Sequence, residues 1–97
     1  MTAFNVVRTR VKPEHETEFL ELERSAGRPP GMRRGTLVKT GERSYCFIGE
    51  WESKDALIAA RPTMAAQLGS LRHMLEELGS GLGVTDPVSG EAVLDLK

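Results

Sequence analysis

The chain changes hydrophobic period several times, and the order of those changes restricts the fold more than any single motif does. From Ala3 to Val11 the residues Phe4, Val6, Val7, Thr9 and Val11 are β-branched or aromatic, with Arg8 and Arg10 interrupting them at strand spacing. At Lys12-Pro13-Glu14 the period turns helical: proline suits a first helical position, and Glu14, Glu16 and Glu18 suit the positive end of a helix dipole. His15, Phe19, Leu22 and Ala26 then share one predicted face, and Gly27 with Pro29-Pro30-Gly31 ends the helix.

Two further β-rich runs, Gly35 to Lys39 and Ser44 to Glu52, flank the polar turn Thr40-Gly41-Glu42-Arg43 and predict a hairpin. Ser53 is a natural N-cap for a second, longer helix, whose apolar positions are Leu57, Ala60, Met64, Leu68, Leu71, Leu75 and Leu78. Pro62 lies inside that stretch and cannot donate a backbone hydrogen bond, so a break is expected near Arg61. Gly79, Gly81 and Gly83 follow as a connection, Asp86-Pro87 and Ser89-Gly90 as turns, and Ala92 to Leu96 as a last edge strand.

The order is β-α-β-β-α-β, the split arrangement of ferredoxin-like α+β domains, with two helices on one face of a four-stranded antiparallel sheet. The 97 residues hold one domain, spanning 1–97, and a chain this short buries a modest share of its surface. Its second sheet face needs a cover, which a second copy would supply, so the topology predicts a homodimer of the dimeric α/β-barrel kind.

Charge narrows the partners. Thirteen Lys and Arg against 14 Asp and Glu give a net charge of -1, which removes the global attraction to phosphate backbones and argues against nucleic acid. No basic segment followed by an apolar one opens the chain, and no run of about 18 apolar residues occurs, so neither export nor membrane insertion is expected. Cys46 is the lone cysteine; a disulfide framework is excluded, and a reducing cytoplasm is the simpler setting. With His15 and His73 far apart in sequence and no Cys/His/Asp cluster at ligand spacing, no metal site is expected. Phosphate loops, nucleophile elbows and Walker patterns are likewise missing.

Phe47-Ile48-Gly49-Glu50-Trp51-Glu52-Ser53-Lys54-Asp55-Ala56-Leu57, a strand end running into a helix start, resembles the antibiotic biosynthesis monooxygenase family of dimeric α/β-barrels. Val11-Lys12-Pro13-Glu14-His15-Glu16 with Phe19 resembles that family's first strand-to-helix junction. The resemblance implies a small-molecule site and, as one option, cofactor-independent oxygenation of an aromatic, polyketide or quinol-type substrate. Haem-degrading relatives use an asparagine on strand one, a tryptophan ending strand three and a histidine on the next helix. Only Trp51 matches: counted from the junction, the asparagine place falls on Val6, with Asn5 expected on the other strand face, and the histidine place falls on Arg61. Haem chemistry is therefore disfavoured, and no cofactor is expected.

Trp51, Tyr45 and Phe47 share a strand face, and such a row either stacks on a flat substrate or packs a core. Tyr45, Phe47 and Asn5 are the candidate substrate contacts, and Trp51, Arg61 and His73 the candidate catalytic residues. Arg61 at the helix break could face an anionic or enolate oxygen, or simply be solvated. His73 falls off the apolar stripe, as a proton-transfer group or a surface histidine. His15 is expected to pack, neutral, on the first helix. Arg8 and Arg10, on the strand side of Phe4 and Val6, call for acidic partners across a dimer or an anionic ligand's entrance. A second class of function fits the same residues: a non-catalytic ligand-binding or regulatory homodimer.

Overall fold

A computed structural model describes residues 1–96. The elements run β1 (Ala3–Arg10), a 3-10 turn (Pro13–His15), α1 (Glu16–Ala26), β2 (Met32–Gly41), β3 (Ser44–Trp51), α2 (Lys54–Ala59), α3 (Arg61–Leu71), a second 3-10 turn (Arg72–Met74) and β4 (Asp86–Glu91). The strands form one antiparallel sheet in the order β2-β3-β1-β4, the ferredoxin-like arrangement. None of the helices among the described residues is long and apolar enough to cross a membrane.

Register decides which residues meet. Asn5 pairs with Gly49, Val7 with Phe47 and Ala3 with Trp51, while Leu37 of β2 pairs with Phe47 from the other side. Because side chains alternate along a strand, these residues lie together beneath the helices, and Phe4, Val6, Cys46 and Ile48 lie on the opposite face. Under the helices the apolar residues form two clusters. One holds Val11, Phe19, Tyr45, Leu71, Met74, Leu75 and Val84; the other holds Ala3, Trp51, Leu57 and Ala60.

The expected break in the second helix is present and has the expected cause. Pro62 sits in the first turn of α3, and Ala60 closes α2 with its N–H shared between the carbonyls of Ala56 and Leu57. Ser53 caps α2, its Oγ accepting from the Ala56 N–H at 3.1 Å. The helical stripe, however, stops at Leu71. Leu75 is buried because it bridges Val11 at the end of the sheet, and Leu78 lies beyond the helix.

Two other expectations are corrected. On α1, Phe19 is buried, but Leu22 and Ala26 are exposed and Leu20 and Glu23 turn inward instead. Leu20 and Glu23 stand one and four residues after Phe19, so the cavity-facing stripe of α1 runs through them rather than through Leu22 and Ala26. The last strand is Asp86–Glu91, not the segment from Ala92 to Leu96. Pro87 sits where proline is best tolerated in a sheet, on an edge strand whose one neighbour among the described residues is β1. Val93, Leu94 and Leu96 extend past it, 92%, 75% and 89% exposed. Asp86 also explains Arg8, whose guanidinium it accepts within the same chain; Arg10 similarly lies 3.9 Å from Glu76. Neither arginine needs a partner chain or an anionic ligand for its counter-charge.

Candidate functional site

Between the two apolar clusters, under α1 and α3, lies a cavity of about 880 Å³. Phe19 and Leu71 wall it from one cluster and Leu57 from the other, with Leu37 and Phe47 rising from the sheet floor and Met64 and Leu68 descending from α3. The polar residues of the lining include Asn5 from β1, Glu23, Arg24 and Arg28 from α1 and its end, and Arg61 from the start of α3, beside Thr9, Gln67, Thr85 and Ser89. A largely apolar cleft of this size with polar groups at its edge is a common form of small-molecule site.

Asn5 and Trp51 are joined. Trp51 is fully buried, and its indole N–H donates to Asn5 Oδ1 at 2.7 Å. Indole nitrogen can only donate, so the amide oxygen must face it and the amide NH2 must face away. That NH2 points towards Met64 Sδ at 3.9 Å, a weak acceptor that leaves its donors available to a stronger one. Gly49 makes the arrangement possible: a Cβ there would stand 2.3 Å from Asn5 Oδ1 and 3.1 Å from Trp51 Nε1. Asn5 is thus on the same face as Trp51, and Val6 is turned away. Val6, on which the count from the strand-to-helix junction fell, is paired with Ile48 on the face away from Trp51.

Among the described residues Glu23 is the one acidic side chain lining the cavity, and burial raises its carboxyl above the ordinary 4.5. A carboxylate there is a stronger base than one in water. Arg61 is exposed at the helix break and makes no ion pair among the described residues, so its charge is free to meet a ligand. Arg24 is tied to Glu21 at 3.4 Å, and Arg28 donates to the Arg33 carbonyl.

The remaining candidates fall in different places. Phe47 is in the cavity wall, and Trp51 stands behind Asn5 rather than lining the space itself. Tyr45 is packed against Phe19 with ring centroids 5.4 Å apart, outside the lining, and its hydroxyl donates to Glu16 at 2.5 Å. Its phenol is pushed up to about 12, first by desolvation and then by Glu16, while that hydrogen bond is the main cause holding Glu16 below its ordinary value. Tyr45 is therefore a committed core residue and not a free contact for substrate. His73 is exposed, away from the cavity, edge-on to His15 with centroids 5.3 Å apart.

Sequence reasoning missed Glu23 and Gly49. Glu23 stands four residues after Phe19, on the same helical face, but an acidic residue on a helix is read as solvated by default. Gly49 reads as a weak strand residue, and the contact that requires it is visible only once β1 is paired with β3.

No family model matches the sequence, and no curated protein matches it either. Solved structures do. The cofactor-independent oxygenase SnoaB from Streptomyces nogalater is 24% identical, with 98% of this chain and 96% of that chain covered at a TM-score of 0.68. A candidate antibiotic biosynthesis monooxygenase from Nitrosomonas europaea is 14% identical, with 95% and 90% covered at 0.77. A conserved protein from Methanosarcina mazei Go1 is 17% identical, with 94% and 92% covered at 0.75. At such identities the likeness speaks for architecture and not for chemistry. The chain has the ferredoxin-like fold of the antibiotic biosynthesis monooxygenases.

Proposed function

We propose that this chain is a cofactor-independent monooxygenase acting on a small, electron-rich aromatic, polyketide or quinol-type substrate. The observation that carries the reading is the Asn5 amide, fixed by Trp51 so that its NH2 faces an apolar cavity. Such a donor, preorganised where water is scarce, stabilises a developing oxyanion without having to reorient.

Glu23 takes the substrate proton, its basicity raised by burial. The resulting carbanion, in resonance with a phenolate or enolate, is held by the Asn5 NH2 and by Arg61, with Phe47 and Leu37 against the ring face. Electrons pass from that anion to dioxygen. For a methylene flanked by aromatic rings, CH2 and O2 give C=O and H2O; for a naphthohydroquinone, a ring C–H and O2 give the hydroxynaphthoquinone and H2O: in each case one oxygen atom enters the product, the other leaves as water, and the substrate is the sole reductant. The apolar walls keep bulk water from the intermediate. Arg61 also keeps haem chemistry disfavoured, because a guanidinium that stays protonated cannot serve as an axial ligand.

The working unit in this reading is a single-domain homodimer in the cytoplasm. Phe4, Val6 and Ile48, with Val38 and Val88 39% and 63% exposed, form the face that the second copy covers. The exposed apolar tail from Val93 to Leu96 reaches onto that copy.

A second reading, a non-catalytic ligand-binding dimer, fits the largely apolar lining of the cavity among the described residues. Dioxygen uptake in excess of autoxidation, measured with a naphthohydroquinone, separates the two readings. Uptake that falls in Asn5→Ala and Glu23→Gln supports the oxygenase; tight binding of the quinol with no excess uptake supports the ligand carrier.

A further inference from the structure

Two histidines distant in sequence meet on the outside of the fold. His15 ends the 3-10 turn after β1, and His73 lies in the 3-10 turn after α3. The turns are tied by backbone: Lys12 N–H donates to the Met74 carbonyl at 2.8 Å, Glu76 N–H donates to the Arg10 carbonyl at 2.7 Å, and Val11 bridges Leu75. Val11, Met74 and Leu75 are all buried, so the two imidazoles stand on a fixed frame. His15 Nδ1 lies 3.1 Å from a Glu18 carboxylate oxygen, and one donor atom from each of His15, Glu18 and His73 falls within 4.8 Å of the others.

We propose that His15, Glu18 and His73 bind a divalent transition cation of the zinc class, with water completing the shell. Metal–ligand distances of about 2.0–2.2 Å place neighbouring tetrahedral ligands roughly 3.3–3.6 Å apart. The His15–Glu18 pair already has nearly that separation, and the His73 donor must close from within 4.8 Å. Two imidazoles and one carboxylate select zinc, nickel or copper over magnesium and calcium, which prefer all-oxygen shells. An exposed position gives the ion a route in. The site joins the start of α1 to the end of α3, so a bound ion clamps together two walls of the cavity and stabilises the chain by mass action. This inference does not depend on the oxygenase reading.

The test is titration of the EDTA-treated full chain with zinc chloride, followed calorimetrically and by NMR of the imidazole ring protons, which come from only two histidines. The expected result is one zinc ion per chain, with the ring signals of both histidines shifting together over the same concentration range. His15→Ala and His73→Ala should each weaken binding by about 10-fold or more, Cys46→Ser should leave it unchanged, and magnesium should give no shift. Wild-type protein that takes up no zinc, zinc that perturbs one ring or neither, or binding retained in His15→Ala and His73→Ala would each overturn the proposal. The NMR readout uses the wild-type chain and so stands even where a variant fails to fold.

Discussion

A single hydrogen atom at residue 49 separates an ordered amide from a collision. Alanine at Gly49 would put its methyl group into Asn5 Oδ1, so Gly49→Ala should cost roughly 1–3 kcal/mol in denaturant unfolding and disrupt the Asn5–Trp51 bond. Trp51→Phe keeps most of the ring volume but strands a buried amide oxygen, a loss of about 1–3 kcal/mol by the same measurement. In a merely packed tryptophan the two variants would behave independently; here Trp51→Phe should add less than its full cost on top of Gly49→Ala, since both remove one interaction. Glu23 supplies a pH signature. Its carboxyl is raised in the fold, so the neutral acid is the favoured form; the associated stability is fully present below the ordinary 4.5 and is lost as pH rises through the higher folded value. Glu23→Gln should therefore be relatively more stable than wild type above that window, with the difference vanishing in acid, as read from unfolding midpoints across the pH range. The same residue as base predicts oxygenation that rises with pH over that interval and is lost in Glu23→Gln.

Among the elements, those governed by local chemistry were legible in the sequence. Pro62 announces the break between α2 and α3, and Ser53 announces the cap; Ser53→Ala should lower stability by about 1 kcal/mol in thermal or denaturant unfolding. The hairpin is readable from the polar turn, although β2 extends further in both directions than its β-branched residues suggest. Elements set by tertiary pairing were not legible. The inward face of α1 takes Glu23 rather than Leu22, a choice that the apolar spacing of the sequence does not show. The place of β4 is set by its antiparallel ladder with β1, in which Arg8 meets Asp86, while the better-alternating Ala92 to Leu96 forms no strand among the described residues. The face that Asn5 takes is decided by its pairing with Gly49, because one residue of register exchanges the faces of a strand.

At the scale of the molecule, one sheet face is covered by helices and the other presents Phe4, Val6 and Ile48, with an apolar tail beyond β4. If a second copy covers that face, sedimentation equilibrium should give a dimer, and truncation after Glu91 should weaken it while the monomer stays folded by circular dichroism. A wild-type monomer at all concentrations would remove the dimer from the account. The cavity, by contrast, is formed within one chain, and its donor amide is the centre of the functional reading. The most direct test is dioxygen consumption with a naphthohydroquinone by wild type and by Asn5→Ala, each first shown to bind the quinol through quenching of the Trp51 fluorescence. The account predicts enzyme-dependent uptake, one O2 per product, that Asn5→Ala lowers by about 10²–10³-fold, the range for loss of an oxyanion-stabilising donor. Uptake equal in the two proteins, or no uptake by wild type with quinol bound, would contradict it.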